Sequence, residues 1–259
     1  MKKVYLDPGH GGTDSGAIGN GIKEKDIVLA VAKEVEAKLK KCNLDVRMSR
    51  TTDIYKTLEY RSTDANSWGA DCFVSIHANS ADATSAQGVE NYCYKFAYRA
   101  LADKVLEEII NSKNYTKNRG VKEGNLHVIR ETNMDACLVE LAFISNSEDA
   151  NLLKNKQEEF ATAIAKGICT YLGVTYVDDS QTSPSEGFTN GDYSGKRAIV
   201  TADVLNVRWD RGTEYDVIGQ VKNGDIVNLQ YCLNDWISIE GFKGEKGLGY
   251  VNAYFLELV

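Results

Sequence analysis

The residues Lys3-Val4-Tyr5-Leu6-Asp7-Pro8-Gly9-His10-Gly11-Gly12 open the pattern that decides the fold. The first four form a short apolar run that predicts a strand, and the glycines after them predict a tight turn. A helix is predicted next, over Glu24–Lys41, because its apolar residues recur at helical spacing. These residues are Val28, Val31, Ala32, Val35 and Leu39. A strand, a glycine-rich turn and a helix in this order indicate an α/β domain.

Strand and helix signals continue to alternate as far as residue 174. Further helices are predicted over Leu58–Trp68, around Leu101–Ile109, and as one long final helix from Leu152 to Tyr171. Further strands are predicted at Leu44–Met48, Cys72–His77, Val89–Tyr94, Asn125–Ile129 and Ala136–Leu141. The pattern predicts the α/β class, with a mainly parallel twisted sheet flanked by helices. Sites in such sheets form beyond the carboxyl ends of the strands.

The last third of the chain has a different composition. Residues 176–194 are polar, small and without apolar periodicity, which predicts a flexible linker between two domains, residues 1–175 and residues 195–259. The second domain is predicted to be a small all-β barrel, because short β-rich runs alternate there with turn residues. These runs are Ala198–Thr201, Leu205–Arg208, Val217–Val221, Ile226–Tyr231, Trp236–Ile239 and Gly249–Val251.

Composition excludes several classes of protein. The 259 residues carry a net charge of −7, and nucleic acids are bound mainly through Lys and Arg, so no nucleic-acid partner is expected. No apolar run reaches the ~18 residues of a transmembrane helix, so no membrane insertion is expected. The apolar run after Lys2 and Lys3 stops at Asp7, which is too short for a signal peptide. We therefore expect synthesis in the cytoplasm without a secretory signal.

Two histidines stand where an α/β sheet presents its site. His10 lies in the turn after the first predicted strand, and His77 ends another predicted strand. The third histidine, His127, lies in an apolar run and is expected to have a structural role.

Two glutamates stand out beside these histidines. Glu24 opens the first helix, where a carboxylate is stabilised by the helix dipole or can serve as a ligand on a rigid turn. Glu140 lies inside the apolar run Leu138–Phe143, where a carboxylate is costly unless it is paired or bound.

Together these residues match the requirements of a hydrolytic metal site. Two neutral imidazoles and one carboxylate, as in His10, His77 and Glu24, suit Zn²⁺ and leave a fourth position for water, although other divalent metals accept the same ligands. A further carboxylate can take the proton of the water and return it to the leaving group, and Glu140 is the candidate for that role. The spacings are long, and the sequence contains no compact His-Glu-x-x-His motif.

Five segments then occur in a characteristic order. They are Leu6-Asp7-Pro8-Gly9-His10-Gly11-Gly12, Glu24-Lys25-Asp26, Arg50-Thr51-Thr52-Asp53, Ser75-Ile76-His77-Ala78-Asn79, and Leu138-Val139-Glu140 through Ser145-Asn146. Over about residues 1–174 the chain thereby resembles the zinc-dependent N-acetylmuramoyl-L-alanine amidases of the amidase-3 type.

The resemblance implies an activity and a role for each site residue. The activity is cleavage of the amide between the lactyl group of N-acetylmuramic acid and L-Ala in peptidoglycan. One catalytic Zn²⁺ is expected on His10, Glu24 and His77, with Glu140 as the catalytic glutamate. Asn79 and Arg61 match positions near the site, in supporting or packing roles. Arg50 is expected to be a structural ion-pair partner.

The last segment carries a second resemblance. Its motifs are Val200-Thr201-Ala202, Leu205-Asn206-Val207-Arg208, Val217-Ile218-Gly219, Asn223-Gly224-Asp225, Trp236 and Gly249-Tyr250-Val251. Residues 198–258 thereby resemble a bacterial SH3-like domain, which implies binding to cell-wall peptidoglycan. The loop Trp209-Asp210-Arg211-Gly212 departs from the usual pattern, and Trp209 is a candidate for stacking on a glycan or peptide.

The two resemblances imply a peptidoglycan hydrolase tethered to the wall of a Gram-positive bacterium, since a tether raises the local concentration of substrate. Without a secretory signal, this arrangement indicates a phage or prophage endolysin that acts on the wall after release. A bacterial autolysin or a sporulation-associated amidase is the alternative. A wall-binding protein without activity and a zinc peptidase acting within the stem peptide are weaker alternatives.

Overall fold

The computed structural model describes residues 1–177, 188–202, 204–213 and 215–259. The chain divides into two compact units, Met1–Tyr176 and Val177–Val259. Within the described residues, no helix combines the length and apolar character that crossing a bilayer requires.

A six-stranded sheet forms the centre of the first unit. Its strands are β1 (Lys3–Pro8), β4 (Asp45–Met48), β5 (Cys72–Asn79), β6 (Val89–Cys93), β7 (Asn118–Glu123) and β8 (Asp135–Phe143), and the hairpin of β2 (Ile18–Gly19) and β3 (Ile22–Lys23) lies outside it. The order is β4-β1-β5-β8-β6-β7. Only the β6–β8 pairing is antiparallel, so the predicted α/β class and mainly parallel sheet are confirmed.

Helices cover the sheet. They are α1 (Glu24–Lys41), α2 (Leu58–Trp68), α3 (Ala100–Asn111), α4 (His127–Arg130), α5 (Ser147–Asn155) and α6 (Gln157–Leu172). Helix α6 packs against α1 and α3, whereas α2 and α4 pack together over a cluster that includes Tyr5, Phe73 and Leu138. Side chains alternate along a strand, so His77 lies on the same face of β5 as Phe73, and Glu140 on the same face of β8 as Leu138. His77 and Glu140 thus lie on the face of the sheet that α2 covers.

The structure of this unit differs from the sequence prediction at three places. Residues 127–130, predicted as part of a strand, form the single turn α4, because the amides of Arg130 and Glu131 donate to carbonyls four residues back, those of Leu126 and His127. The predicted long final helix is two helices, α5 and α6, separated at Lys156, whose φ of −125° is not helical. The edge strand β7 was not predicted, because Asn118–Glu123 contains no fully buried residue and no apolar alternation.

The second unit is built from antiparallel strands, which confirms the predicted all-β class. The strands are β9 (Gly191–Asp192), β10 (Arg197–Val200), β11 (Val204–Arg208), β12 (Val217–Lys222), β13 (Ile226–Leu233), β14 (Trp236–Glu240), β15 (Leu248–Asn252) and β16 (Leu256–Leu258). They follow the order β12-β11-β15-β14-β13-β10-β16, and β9 pairs with β13. Alternate side chains from these strands fill one core, including Val207, Leu229, Ile237 and Val251.

The predicted linker over residues 176–194 is too long. Phe188 and Tyr193 are buried in the core of the second unit, with their ring centroids 5.2 Å apart. Strand β9 also pairs with Tyr231 and Cys232 of β13. Aromatic burial and strand pairing therefore bring residues 188–194 into the folded unit, although their polar composition suggested a linker. Residues 178–187 of the predicted linker lie outside the described residues.

Candidate metal centre and active site

His10, Glu24 and His77 meet at one end of the sheet. His10 follows β1, Glu24 is the first residue of α1, and His77 lies near the end of β5. Glu24 Oε1 is 3.1 Å from His10 Nε2 and 2.9 Å from His77 Nδ1. Ligand atoms of all three residues lie within 4.8 Å of one another, the spacing of a metal-binding group. The structure thus brings together the three residues that the sequence predicts as metal ligands.

The backbone holds Glu24 in place. Its Oε2 accepts a hydrogen bond from Ala17 N at 2.8 Å, and its Oε1 accepts one from Ala78 N at 3.1 Å. Burial opposes the charge of this carboxylate, but contacts with His10 and His77 outweigh burial and hold its pKa well below the ordinary value. Glu24 is therefore an anion at neutral pH, as a metal ligand must be.

Asp14 fixes the orientation of the His10 ring. Asp14 Oδ2 lies 2.9 Å from His10 Nδ1, which directs Nε2 toward Glu24. A carboxylate on the far nitrogen is the usual support of a metal-binding histidine, because it sets the tautomer and the ring orientation. Burial disfavours protonation of His10, but Glu24 and Asp14 outweigh burial and raise its pKa.

Two glycines leave the space that these side chains occupy. A Cβ on Gly9 would lie 2.2 Å from His77 Cε1, and a Cβ on Gly16 would lie 2.6 Å from Glu24 Oε2. Gly16 also has a φ of +60°, which disfavours a side chain there. The glycine-rich turn is therefore a cradle for the His-Glu-His group. This cradle and the neutral and anionic donors within it fit a divalent metal such as zinc.

Buried arginines support the same turn. Arg61 forms an ion pair of 2.6 Å with Asp7, which also accepts hydrogen bonds from Ser49 and Ser75. Burial opposes ionisation of Asp7, but Arg61 and the two hydroxyls hold its pKa below the ordinary value. Arg50 was expected to form an ion pair. Instead it donates to four backbone carbonyls, those of Pro8, Gly9, Lys25 and Thr52.

Glu140 lies beside the candidate metal-ligand group of His10, Glu24 and His77. It is the register partner of His77 on β5 and of Glu90 on β6, so the three side chains form a row across neighbouring strands. Its Oε2 is buried and has no hydrogen-bond partner in the part of the chain that the structure describes. Burial raises the pKa of Glu140 well above its ordinary value, and the nearby carboxylates of Glu24 and Glu90 raise it further. Perturbed carboxyls of this kind are concentrated at catalytic sites.

Comparison with known proteins adds the family. The family model for N-acetylmuramoyl-L-alanine amidases of the amidase-3 type matches residues 4–170. The chain belongs to this family. A bacterial SH3 domain model matches residues 203–257 of the second unit. The amidase domain and the SH3-like domain expected from sequence are thereby confirmed.

The similar proteins are mainly amidases of bacteria. The chain is 45% identical to the uncharacterized protein YqiI of Bacillus subtilis over 177 residues, which is 66% of this chain and 84% of YqiI. It is 42% identical to the N-acetylmuramoyl-L-alanine amidase LytC of Bacillus subtilis over 65% of this chain and 35% of LytC, so it spans about a third of that relative. The solved catalytic domain of the amidase CwlV from Paenibacillus polymyxa matches 68% of this chain and all of that domain, with 39% identity and a TM-score of 0.65.

A charged network extends from Glu140 toward the edge of the sheet. Glu90 is buried and accepts hydrogen bonds from Asn79 at 3.0 Å, from Tyr92 at 2.7 Å and from Lys122 at 2.5 Å, and it also pairs with Arg119. These contacts outweigh the opposing effect of burial and lower the pKa of Glu90 to about 2. Sequence reasoning found only Asn79 of this network.

The residues of this network that the sequence analysis missed differ in whether the sequence could have indicated them. Glu90 lies in a predicted strand beside Val89, as Glu140 lies in an apolar strand, and the same reasoning about a buried carboxylate could have selected it. Arg119 and Lys122 gave no such signal, because β7 itself was not predicted.

The remaining candidates are not members of the His10–Glu24–His77 group. His127 begins α4, with its Nε2 3.4 Å from Ser62 Oγ. Trp209 is 49% exposed in the SH3-like domain. All six cysteines are buried as thiols.

Proposed function

We propose that this chain is a zinc-dependent amidase that hydrolyses the bond between N-acetylmuramic acid and L-Ala in the peptidoglycan of a Gram-positive bacterium. The observation that carries the proposal is the His10–Glu24–His77 group beside the buried Glu140 carboxyl. Family membership and the identity with LytC support the same activity.

The residues divide the work of binding and catalysis. His10, Glu24 and His77 would hold one Zn²⁺, which supplies Lewis acidity for polarising the scissile carbonyl and activating water. Asp14 keeps His10 Nε2 directed at the site. In the proposed reaction Glu140 takes a proton from the attacking water at a carboxylate oxygen and returns it to the nitrogen of L-Ala as that amine leaves. A carboxyl with a raised pKa is suited to this exchange, because it can hold the proton between the two steps.

The test is product analysis on purified Gram-positive walls. We expect loss of turbidity that a chelator prevents, together with new L-Ala amino termini and intact glycan strands. Clearing with new amino termini from other residues would replace the amidase with a stem-peptide peptidase. Metal analysis of the purified protein, which should give about one zinc per chain, tests the cofactor separately from the bond cleaved.

The SH3-like domain is proposed to tether the amidase domain to the wall. A tether to a fixed polymer raises the local concentration of the scissile bond without contributing to chemistry. The exposed indole of Trp209 supports a glycan or a peptide as the ligand, since exposed aromatic rings stack on such surfaces. A Trp209→Ala variant should bind purified walls more weakly and hydrolyse a soluble muramoyl peptide at the wild-type rate.

We propose the biological role of an endolysin, made in the cytoplasm and acting on the wall after release, because an amidase domain is combined with an SH3-like domain that we propose to bind the wall. The 39% identity with the sporulation-specific N-acetylmuramoyl-L-alanine amidase of Bacillus subtilis favours a second candidate, an amidase of sporulation. The rates on the two kinds of wall separate them. An endolysin should clear walls from vegetative cells at least as fast as walls from sporulating cells. A sporulation amidase should clear walls from sporulating cells faster.

A further inference from the structure

Arg119 and Lys122, two cationic residues of β7, lie at the end of the row that begins with the metal-ligand group. We propose that they form a carboxylate-binding subsite that recognises an acidic residue of the stem peptide, beyond the scissile amide. The inference rests on the proposed amidase function, because it assigns a part of the substrate to this surface.

The position of the pair follows from the strand order. His77, Glu140 and Glu90 are register partners on β5, β8 and β6, and Arg119 and Lys122 reach Glu90 from the next strand, β7. Neighbouring strands lie about 4.8 Å apart, so β7 is about 10 Å from β8 across the sheet. An extended peptide advances about 3.3–3.6 Å per residue. A stem peptide that crosses the sheet from Glu140 would therefore bring its second or third residue to the pair.

The charge of the group favours an anion. Arg119 and Lys122 share one internal partner, Glu90, so these three residues together carry one excess positive charge. Among the described residues, no other carboxylate forms an ion pair with either cation. The Glu90 side chain is only 3% exposed, whereas the side chains of Arg119 and Lys122 are 29% and 36% exposed. The buried anion thus holds two cations that remain open to solvent.

The pair is also held in a fixed position. The Arg119 guanidinium lies over the Phe143 ring, 4.9 Å from its centroid, and Lys122 Nζ lies 5.9 Å from the centroid of the Tyr92 ring. Cations held over rings and on a buried carboxylate lose little freedom when a ligand binds. A guanidinium presents donors that match a carboxylate, and an ammonium adds a second charge beside it. The subsite therefore selects a free carboxylate over a neutral amide.

The experiment compares two soluble substrates. They are N-acetylmuramoyl peptides that differ only in the residue after L-Ala, which carries either a free carboxylate or the corresponding amide. We expect the zinc-loaded wild type to favour the free acid by about tenfold in kcat/KM, and we expect Lys122→Gln to bring this ratio close to one. Lys122→Arg should restore the preference. The matched control is Lys33→Gln, which removes an exposed lysine from α1 and should keep the wild-type ratio.

Each contrary result has a clear meaning. Equal kcat/KM values on both substrates in the wild type would overturn the subsite. A Lys122→Gln variant that lowers kcat/KM on both substrates by the same factor would also overturn it, since this result would indicate a structural role through Glu90. Calorimetric Kd values of the same two peptides on the catalytically impaired Glu140→Gln variant give a readout without turnover. If the wild type hydrolyses neither peptide but the Kd values still favour the free acid, the amidase reaction is overturned and the subsite is retained.

Discussion

Arg61 Nη2 donates a hydrogen bond of 2.7 Å to the backbone carbonyl of His10. The same guanidinium pairs through Nη1 with Asp7, so one buried side chain connects the end of β1 to the turn that carries His10, a candidate metal ligand. His10 has a φ of +59°, in the left-handed region that non-glycine residues seldom adopt. The strained backbone at His10 therefore persists because the surrounding contacts hold it.

Replacing Arg61 tests this support. Arg61→Lys keeps the charge but loses the planar fork that reaches both Asp7 and His10, so we expect the free energy of unfolding to fall by about 2–4 kcal/mol and zinc affinity to fall by about tenfold. Urea denaturation and zinc titration measure the two effects. The control is Arg47→Lys, whose partner Asp64 is 3.3 Å away and whose side chain is 46% exposed, so its effect should stay below about 1 kcal/mol. Unchanged zinc affinity in Arg61→Lys would mean that His10 does not need this support.

Glu140 should matter for rate and not for stability. In Glu140→Gln a buried oxygen without a partner is replaced by a neutral amide group, so we expect folding to be preserved and kcat to fall by about 10²–10⁴-fold. Zinc content should remain near that of the wild type, whereas His77→Ala should lose zinc as well as activity. Glu148→Gln, at the exposed first turn of α5, is the matched control. Loss of zinc from Glu140→Gln would indicate that Glu140 is a metal ligand, and retained activity would show that Glu140 is not the base.

Metal removal should weaken the fold as well as stop the reaction. A ligand that binds only the native state stabilises it by RT ln(1 + [L]/Kd), which is about 2.7 kcal/mol at a hundred times Kd. We therefore expect a chelator to lower the Tm of the amidase domain and zinc to restore it. Glu24→Ala should abolish this zinc-dependent shift in Tm, whereas Glu34→Ala, an exposed residue of the same helix, should keep it. A full shift in Glu24→Ala would place the metal elsewhere.

The sequence predicted which candidate ligands would meet better than it predicted their surroundings. His10, Glu24 and His77 were found because each stands at a strand end or a helix start, which topology brings to one edge of a parallel sheet. Residue types do not reveal which atoms face each other, so the Asp14 support of His10 and the carbonyl contacts of Arg50 emerged only from the structure. Strand β7 has no buried stripe, and the aromatic residues before β9 lie in a polar segment. Hydrophobic periodicity therefore missed the cationic pair and placed the end of the linker too late.

Acid should destabilise the amidase domain partly through Glu90. Its pKa of about 2 in the folded state lies below the value of about 4.3 in an unfolded chain. The stabilisation is therefore fully present above about pH 4.3 and is lost as the pH falls through 2, by an amount on the order of 3 kcal/mol. Glu90→Gln should show a shallower loss of stability between pH 5 and pH 3 in urea denaturation. The control is Glu107→Gln, which removes an exposed carboxylate of α3 and should keep the wild-type dependence of the free energy of unfolding on pH. If Glu90→Gln also keeps the wild-type dependence, Glu90 does not contribute to the acid destabilisation.

Because each unit has its own core, the two domains should fold separately. The first unit ends at Tyr176, and Phe188 already belongs to the core of the second, so fragments 1–177 and 188–259 preserve both cores. We expect each fragment to unfold cooperatively, with a Tm within a few degrees of one of two transitions of the full chain. Zinc should raise only the transition of fragment 1–177, and that fragment should bind walls more weakly while keeping activity on a soluble muramoyl peptide. A fragment 1–177 without a cooperative transition would mean that the amidase domain depends on the rest of the chain, and wall binding and catalysis would then have to be separated by point variants instead.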